Sequence, residues 1–141
     1  MKILIPIDGS ANADRAVDYV IAKVDTLKVA PEIFLLNVQW KLALGNVKLF
    51  IDQETVKEYY REQGIVALSK AREKFDLAKL AYTYHISVGS PADTVVRYSQ
   101  EQKIDQIVMS AQGQETITNF LLGSVASKVV QLATIPVLLV K

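Results

Sequence analysis

Residues 104–124 read IDQIVMSAQGQETITNFLLGS, and their pattern decides the fold. Ile104–Ser110 is a short run rich in apolar residues, as expected of a strand covered on both faces. A loop of small and polar residues follows, and Gly123-Ser124 then stands at the start of a helix. Pro136–Val140 (PVLLV) supplies another apolar strand beyond that helix. Strand, helix and strand in this order form a crossover unit of a parallel sheet.

The alternation extends to the amino terminus. Lys2–Ile7 (KILIPI) is a buried strand that ends at Asp8-Gly9-Ser10. Ser10 is placed to cap a helix in which Ala13, Ala16, Val17, Val20, Ile21, Val24 and Leu27 recur at helical spacing. Pro31 opens a second strand, Ile33–Val38, and a longer connection from Gln39 to Phe50 contains Trp40 and Gly45. A helix from Asp52 to Phe75 carries Val56, Tyr60, Ala67, Ala71 and Phe75 on one stripe. Gly64 interrupts it at a cost of up to about 1 kcal/mol, so close packing is expected there. Ala81–Val88 reads as a third strand, and Gly89-Ser90-Pro91 has turn and helix-start chemistry before a helix over Ala92–Gln102. The order βαβαβαβαβ predicts an α/β protein with a parallel sheet and helices on both faces.

Composition narrows the functional classes. The 141 residues are about one domain's worth, so a single domain over 1–141 is expected. Half of them are apolar and 22% are charged, enough for one core without metal or disulfide. Cysteine is absent, which excludes a disulfide framework, a thiol nucleophile and a cysteine metal site. The net charge of +1 is spread along the chain, with no basic stripe for nucleic acid. No charged-then-apolar leader precedes the first strand and no apolar run approaches a membrane span, so a cytoplasmic location without membrane contact is expected.

Ligands of open α/β sheets bind beyond the carboxyl ends of the strands, where the strand order reverses. Asp8–Ser10, the segment from Gln39, and residues 111–123 all lie at that end. The last has Gly113 and Gly123 at its two ends, which allow close backbone approach and positive φ, and it feeds a helix N-terminus suited to an anion.

Residues 110–124 resemble the signature G-x2-G-x9-G-[ST] of the universal stress protein family. Gly113, the nine-residue spacer, Gly123 and Ser124 match, and Ser110 replaces the first glycine. The opening ILIPIDGS, the turn Gly89-Ser-Pro-Ala92, the strand IDQIVMS and the ending LLGSVASKVVQLATIPVLLVK are similar to that family in the same order. The resemblance implies a Rossmann-like, adenine nucleotide alpha hydrolase-like sheet of five strands in the order 3-2-1-4-5. It implies ATP, with Mg²⁺ or Mn²⁺ carried by the nucleotide. Pro6, Ile7 and Asp8 would flank that nucleotide, with Asp8 near the sugar, the phosphates or the metal ion. Val38 would contact adenine. Met109, Ser110, Gly113, Gln114, Gly123, Ser124 and Val125 would complete the cradle. It also implies a homodimer through the last strand, Pro136–Val140, an apolar run at a predicted sheet edge where partner pairing would relieve exposure.

Some residues have plainer readings. Asp8 also suits a turn cap, although a carboxylate at a switch-point strand favours a site. His85 is the single histidine and is expected to be packed or at the surface rather than catalytic. Tyr59, Tyr60, Tyr82 and Tyr84 are expected to pack the second helix on the third strand, and Trp40 either walls the site or anchors its loop. No G-x-x-x-x-G-K-[ST] loop and no Ser/His/Asp constellation occurs, so the chain is not expected to be an enzyme beyond slow ATP hydrolysis. The leading expectation is an ATP-binding, or related adenine-nucleotide-binding, regulatory or protective stress protein. The alternative is a non-nucleotide member of the family acting as a dimeric module with an unknown protein partner. Ser110, Gln114 and the lack of any Lys or Arg from 110 to 124 favour that alternative.

Overall fold

The computed structural model describes residues 1–46, 50–113 and 121–141. Its elements are β1 (Lys2–Pro6), α1 (Ala11–Val24), β2 (Glu32–Gln39), α2 (Gln53–Leu77), β3 (Tyr82–Val88), α3 (Pro91–Glu101), β4 (Gln106–Ser110), α4 (Ser124–Leu132) and β5 (Val137–Val140). The strands form one parallel sheet in the order β3-β2-β1-β4-β5. β1 and β4 are therefore neighbours although three helices separate them in sequence, and the order reverses between them.

The pleat divides the core in two. Ile3, Ile5 and Ile7 face α1 and α2, where they meet Val17, Val20, Leu68 and Phe75. Leu4, Leu36 and Ile107 face the opposite layer with Val95 of α3 and Val129 of α4. Each fully buried aliphatic side chain contributes on the order of 2 kcal/mol. α1 starts where expected, because the Ala13 N–H donates to Ser10 Oγ at 3.2 Å. It ends at Val24, so Leu27 lies in the following turn and not on the buried stripe.

Three other expectations need correction. β4 begins at Gln106 rather than Ile104, because Lys103 takes a positive φ of 53° and the Ile104 N–H turns back to Ser99 O. The buried face of α2 is Gly64, Leu68, Ala71 and Phe75, while Val56, Tyr60 and Ala67 are only half-buried. The expected close packing at Gly64 is present: a Cβ there would lie 2.5 Å from Ile86 Cγ2 on β3. Finally, the four tyrosines divide. Tyr82 packs on Phe75 and donates its hydroxyl to Asp76, and Arg72 lies over the Tyr84 ring, so these two join α2 to β3. Tyr59 and Tyr60 instead stack edge to face at the other end of α2.

His85 is exposed on β3, and its Nδ1 shares a hydrogen bond with the Tyr98 hydroxyl. Burial pushes the Tyr98 phenol up to about 12. No helix among the described residues is long and apolar enough to cross a membrane.

Candidate functional site

Where β1 and β4 part, their carboxyl ends border a cavity of about 770 Å³. Pro6, Ile7 and Asp8 leave β1 along one wall, and Met109 and Ser110 end β4 along the next. Gly113, Gly123, Ser124 and Val125 close the loop side, and Val38 lies at the end of β2. The structure thus brings together every site residue expected from the sequence except Gln114, which lies outside the described residues.

Asp8 does two things at once. Its Oδ1 accepts the Ser10 N–H at 2.9 Å and the Ser10 Oγ–H at 2.6 Å, which is the turn-capping role. Its Oδ2 faces across the crevice, 3.2 Å from where a Cβ on Gly113 would stand. A larger residue at 113 would press on that oxygen. The Gly113 carbonyl is in turn held by Asn12 Nδ2 at 3.0 Å, which ties the loop to the first turn of α1.

The reason for the two loop glycines is contact. Positive φ was an expected use for them, yet among the described glycines it occurs at Gly9, Gly45 and Gly89. Gly123 has φ −60°, which any residue adopts. A Cβ on Gly123 would lie 3.2 Å from Gly113 N and 3.4 Å from Ala111 O, so the glycine lets two stretches of backbone touch. Its N–H donates to Ala111 O at 2.8 Å, and its C=O accepts from Ser127. Gly123 rather than Ser124 is therefore the N-cap of α4. Ser110 is 7% exposed, and its Oγ accepts the Gln112 N–H at 3.2 Å. The side chain that replaces the signature glycine thus braces the start of the loop.

Lys128 of α4 reaches Asp93 of α3 at 2.9 Å, and hydrogen bonds from Lys128 and Ser90 hold the Asp93 carboxyl below the usual range. Asp8 is the one carboxylate among the cavity's described walls, and no group of three metal-ligating side chains occurs among the described residues.

Several wall residues were not foreseen. Asn37 is 1% exposed inside an otherwise apolar β2, and its Nδ2 donates to Ile7 O at 2.7 Å, joining the ends of β1 and β2. Gln39 Nε2 then donates to Asn37 Oδ1 at 2.6 Å. The usable signal was the asparagine within IFLLNV, since a buried polar side chain must find a partner. The mouth carries Trp40, Leu42, Tyr59, Tyr60, Leu121 and Leu122. The Tyr60 hydroxyl accepts the Leu42 N–H at 2.7 Å and so fixes the segment after β2 against α2. Trp40, left undecided from the sequence, lines the mouth and is 66% exposed.

The model of the Universal stress protein family matches residues 1–141. The chain is 31% identical over 157 aligned positions to universal stress protein MJ0577 of Methanocaldococcus jannaschii, covering 99% of this chain and 94% of that protein. The solved structure of MJ0577 superposes with a TM-score of 0.83 at 28% identity, covering 99% of this chain and 94% of that one. The same fold occurs in a universal stress protein solved in complex with cAMP, with a TM-score of 0.66, 23% identity and coverage of 99% and 95%. It also occurs in an Arabidopsis thaliana family protein with AMP bound, with a TM-score of 0.69, 18% identity and coverage of 100% and 91%.

Proposed function

Because the chain belongs to the universal stress protein family, we propose that it binds an adenine nucleotide in the crevice between β1 and β4 and serves a regulatory or protective role in the stress response. The observation that carries this reading is the meeting of Asp8, Gly113, Gly123 and Ser124 around one cavity at the reversal of strand order. The cAMP and AMP complexes of proteins with the same fold support it. In this reading adenine lies against Val38 near Trp40, and phosphate reaches the N-terminus of α4, where first-turn N–H groups and the helix dipole favour an anion. Asp8 meets the sugar, or a Mg²⁺ or Mn²⁺ carried by a nucleotide such as ATP. The role is binding rather than turnover, since Asp8 is the one carboxylate among the described walls and acid–base chemistry wants a second group tuned to exchange protons.

Two measurements test this. Small molecules released from the purified protein by acid should include an adenine nucleotide, identified by absorbance and mass. Equilibrium titration with adenine nucleotides, ATP and Mg²⁺ among them, should give saturable binding. An empty protein that binds none at millimolar concentration would contradict the reading.

A non-nucleotide role as a dimeric interaction module is the second reading, favoured by Ser110, whose hydroxyl occupies the place of a signature glycine. Copurifying nucleotide counts against it. In both readings the chain pairs with a second copy along β5, an apolar edge strand whose four residues are each partly exposed.

A further inference from the structure

The carboxyl end of β2 carries a further inference, which rests on the nucleotide reading above: we propose that the side-chain amide of Gln39 reads the 6-amino group of the purine and so sets the base preference of the crevice. Val38 and Gln39 end β2 together, and both line the cavity. Gln39 is half-buried and is fixed at its main chain and at its side chain. Its backbone oxygen accepts the Gly89 N–H at 2.9 Å, which holds the main chain against the end of β3. Its Nε2 donates to Asn37 Oδ1 at 2.6 Å, which holds the side chain.

The direction of both amides follows from one backbone oxygen. Ile7 O can only accept, so Asn37 must present Nδ2 to it, at 2.7 Å. Asn37 Oδ1 then needs a donor, and Gln39 meets it with Nε2 rather than Oε1. The Ile7 N–H donates in turn to Leu36 O at 2.8 Å, which locks the relay between β1 and β2. Turning the Gln39 amide over would set its oxygen against Asn37 Oδ1. What Gln39 keeps for a ligand is Oε1 and the second hydrogen of Nε2. Among the described residues Oε1 accepts no hydrogen bond, and no buried side-chain polar atom lacks a partner. The oxygen is therefore accessible, and it belongs to a residue of the cavity wall.

An acceptor beside a donor on one amide is the counterpart of adenine, whose N6 amino group donates and whose N7 accepts. A purine with a carbonyl at position 6 puts an oxygen where the amino group would be, facing Oε1. A purine with only hydrogen there displaces water from Oε1 and gives it no partner in return.

The test titrates the full chain with AMP, inosine 5′-monophosphate and purine riboside 5′-monophosphate, which carry an amino group, a carbonyl and a hydrogen at position 6. Heat and the fluorescence of Trp40, the single tryptophan and the next residue in sequence, report binding. AMP should bind about tenfold more tightly than either analogue. Gln39→Met keeps the length of the side chain and removes its polar groups. In that variant AMP should lose about tenfold and purine riboside 5′-monophosphate less than about twofold, so that the gap between them closes. The comparison in the parent chain stands whether or not the variant folds. Either analogue binding the parent chain as tightly as AMP, or a gap that survives Gln39→Met, overturns this inference and leaves the nucleotide reading standing. Failure of all three ligands to bind overturns both.

Discussion

Asp8 shows how one side chain holds a turn and lines the candidate crevice together. With Oδ1 committed to Ser10, the carboxylate is fixed in direction and its other oxygen is aimed across the crevice. Asp8→Ala should therefore weaken nucleotide binding by about tenfold, equivalent to roughly 1.4 kcal/mol, as read by titration. Phosphate release from ATP well above the uncatalysed rate and lost in Asp8→Ala would contradict a binding role. Ser10→Ala removes both the side-chain cap of α1 and the hydroxyl donor to Asp8, leaving the backbone N–H donor, at an expected cost of about 1 kcal/mol in denaturant unfolding. Tyr98 gives the pH dependence. Its phenol titrates near 12 in the folded chain against about 10 when unfolded, so the fold favours the neutral form. That stabilisation is complete below about pH 10 and is lost as pH rises toward 12. Absorbance titration should show one tyrosine ionising last, and Tyr98→Phe should remove that step and flatten the alkaline fall in stability.

At the scale of elements, packing decides what propensity leaves open. Gly64 costs α2 helix propensity, yet it brings the helix onto Ile86 of β3. Gly64→Ala gains up to about 1 kcal/mol from propensity but forces a methyl group to 2.5 Å from Ile86 Cγ2. Overpacking of this kind costs about 1–3 kcal/mol, so the variant should be net destabilised in denaturant unfolding. The order of elements was legible because β1, β4 and β5 are apolar runs, α1 has helical periodicity, and Gly89-Ser90-Pro91 marks the start of α3. The ends were less so. Val24 rather than Leu27 ends the buried face of α1, and Lys103 in a left-handed turn delays β4, because local hydrogen bonds outweigh a pattern that could have continued.

On the scale of the whole molecule, the site exists because distant segments converge. The glycine spacing and the strand ending in Asp8 were readable, since each is local in sequence. The Asn37–Ile7 link, the Asn12–Gly113 tie and the Tyr60–Leu42 tether were not, because each joins residues 18 to 101 positions apart. Nor could the sequence tell that Tyr59 and Tyr60 would leave the β3 contact and stand at the mouth, which depends on the path of the segment after β2. Among the described residues the two sheet edges, β3 and β5, have a single strand neighbour each. Pairing along β5 predicts a dimer by light scattering at micromolar concentration, and Leu139→Lys should shift the protein toward monomer; a monomeric parent chain would contradict it.

The central claim is the place of the site, and amide chemical shifts test it most directly. Addition of AMP to the isotopically labelled chain should shift the N–H signals of Gly113, Ser124 and Val125 saturably, leaving those of Ser69 to Leu77 on α2 unchanged. Saturable shifts confined to another surface, or none at millimolar AMP, would contradict it.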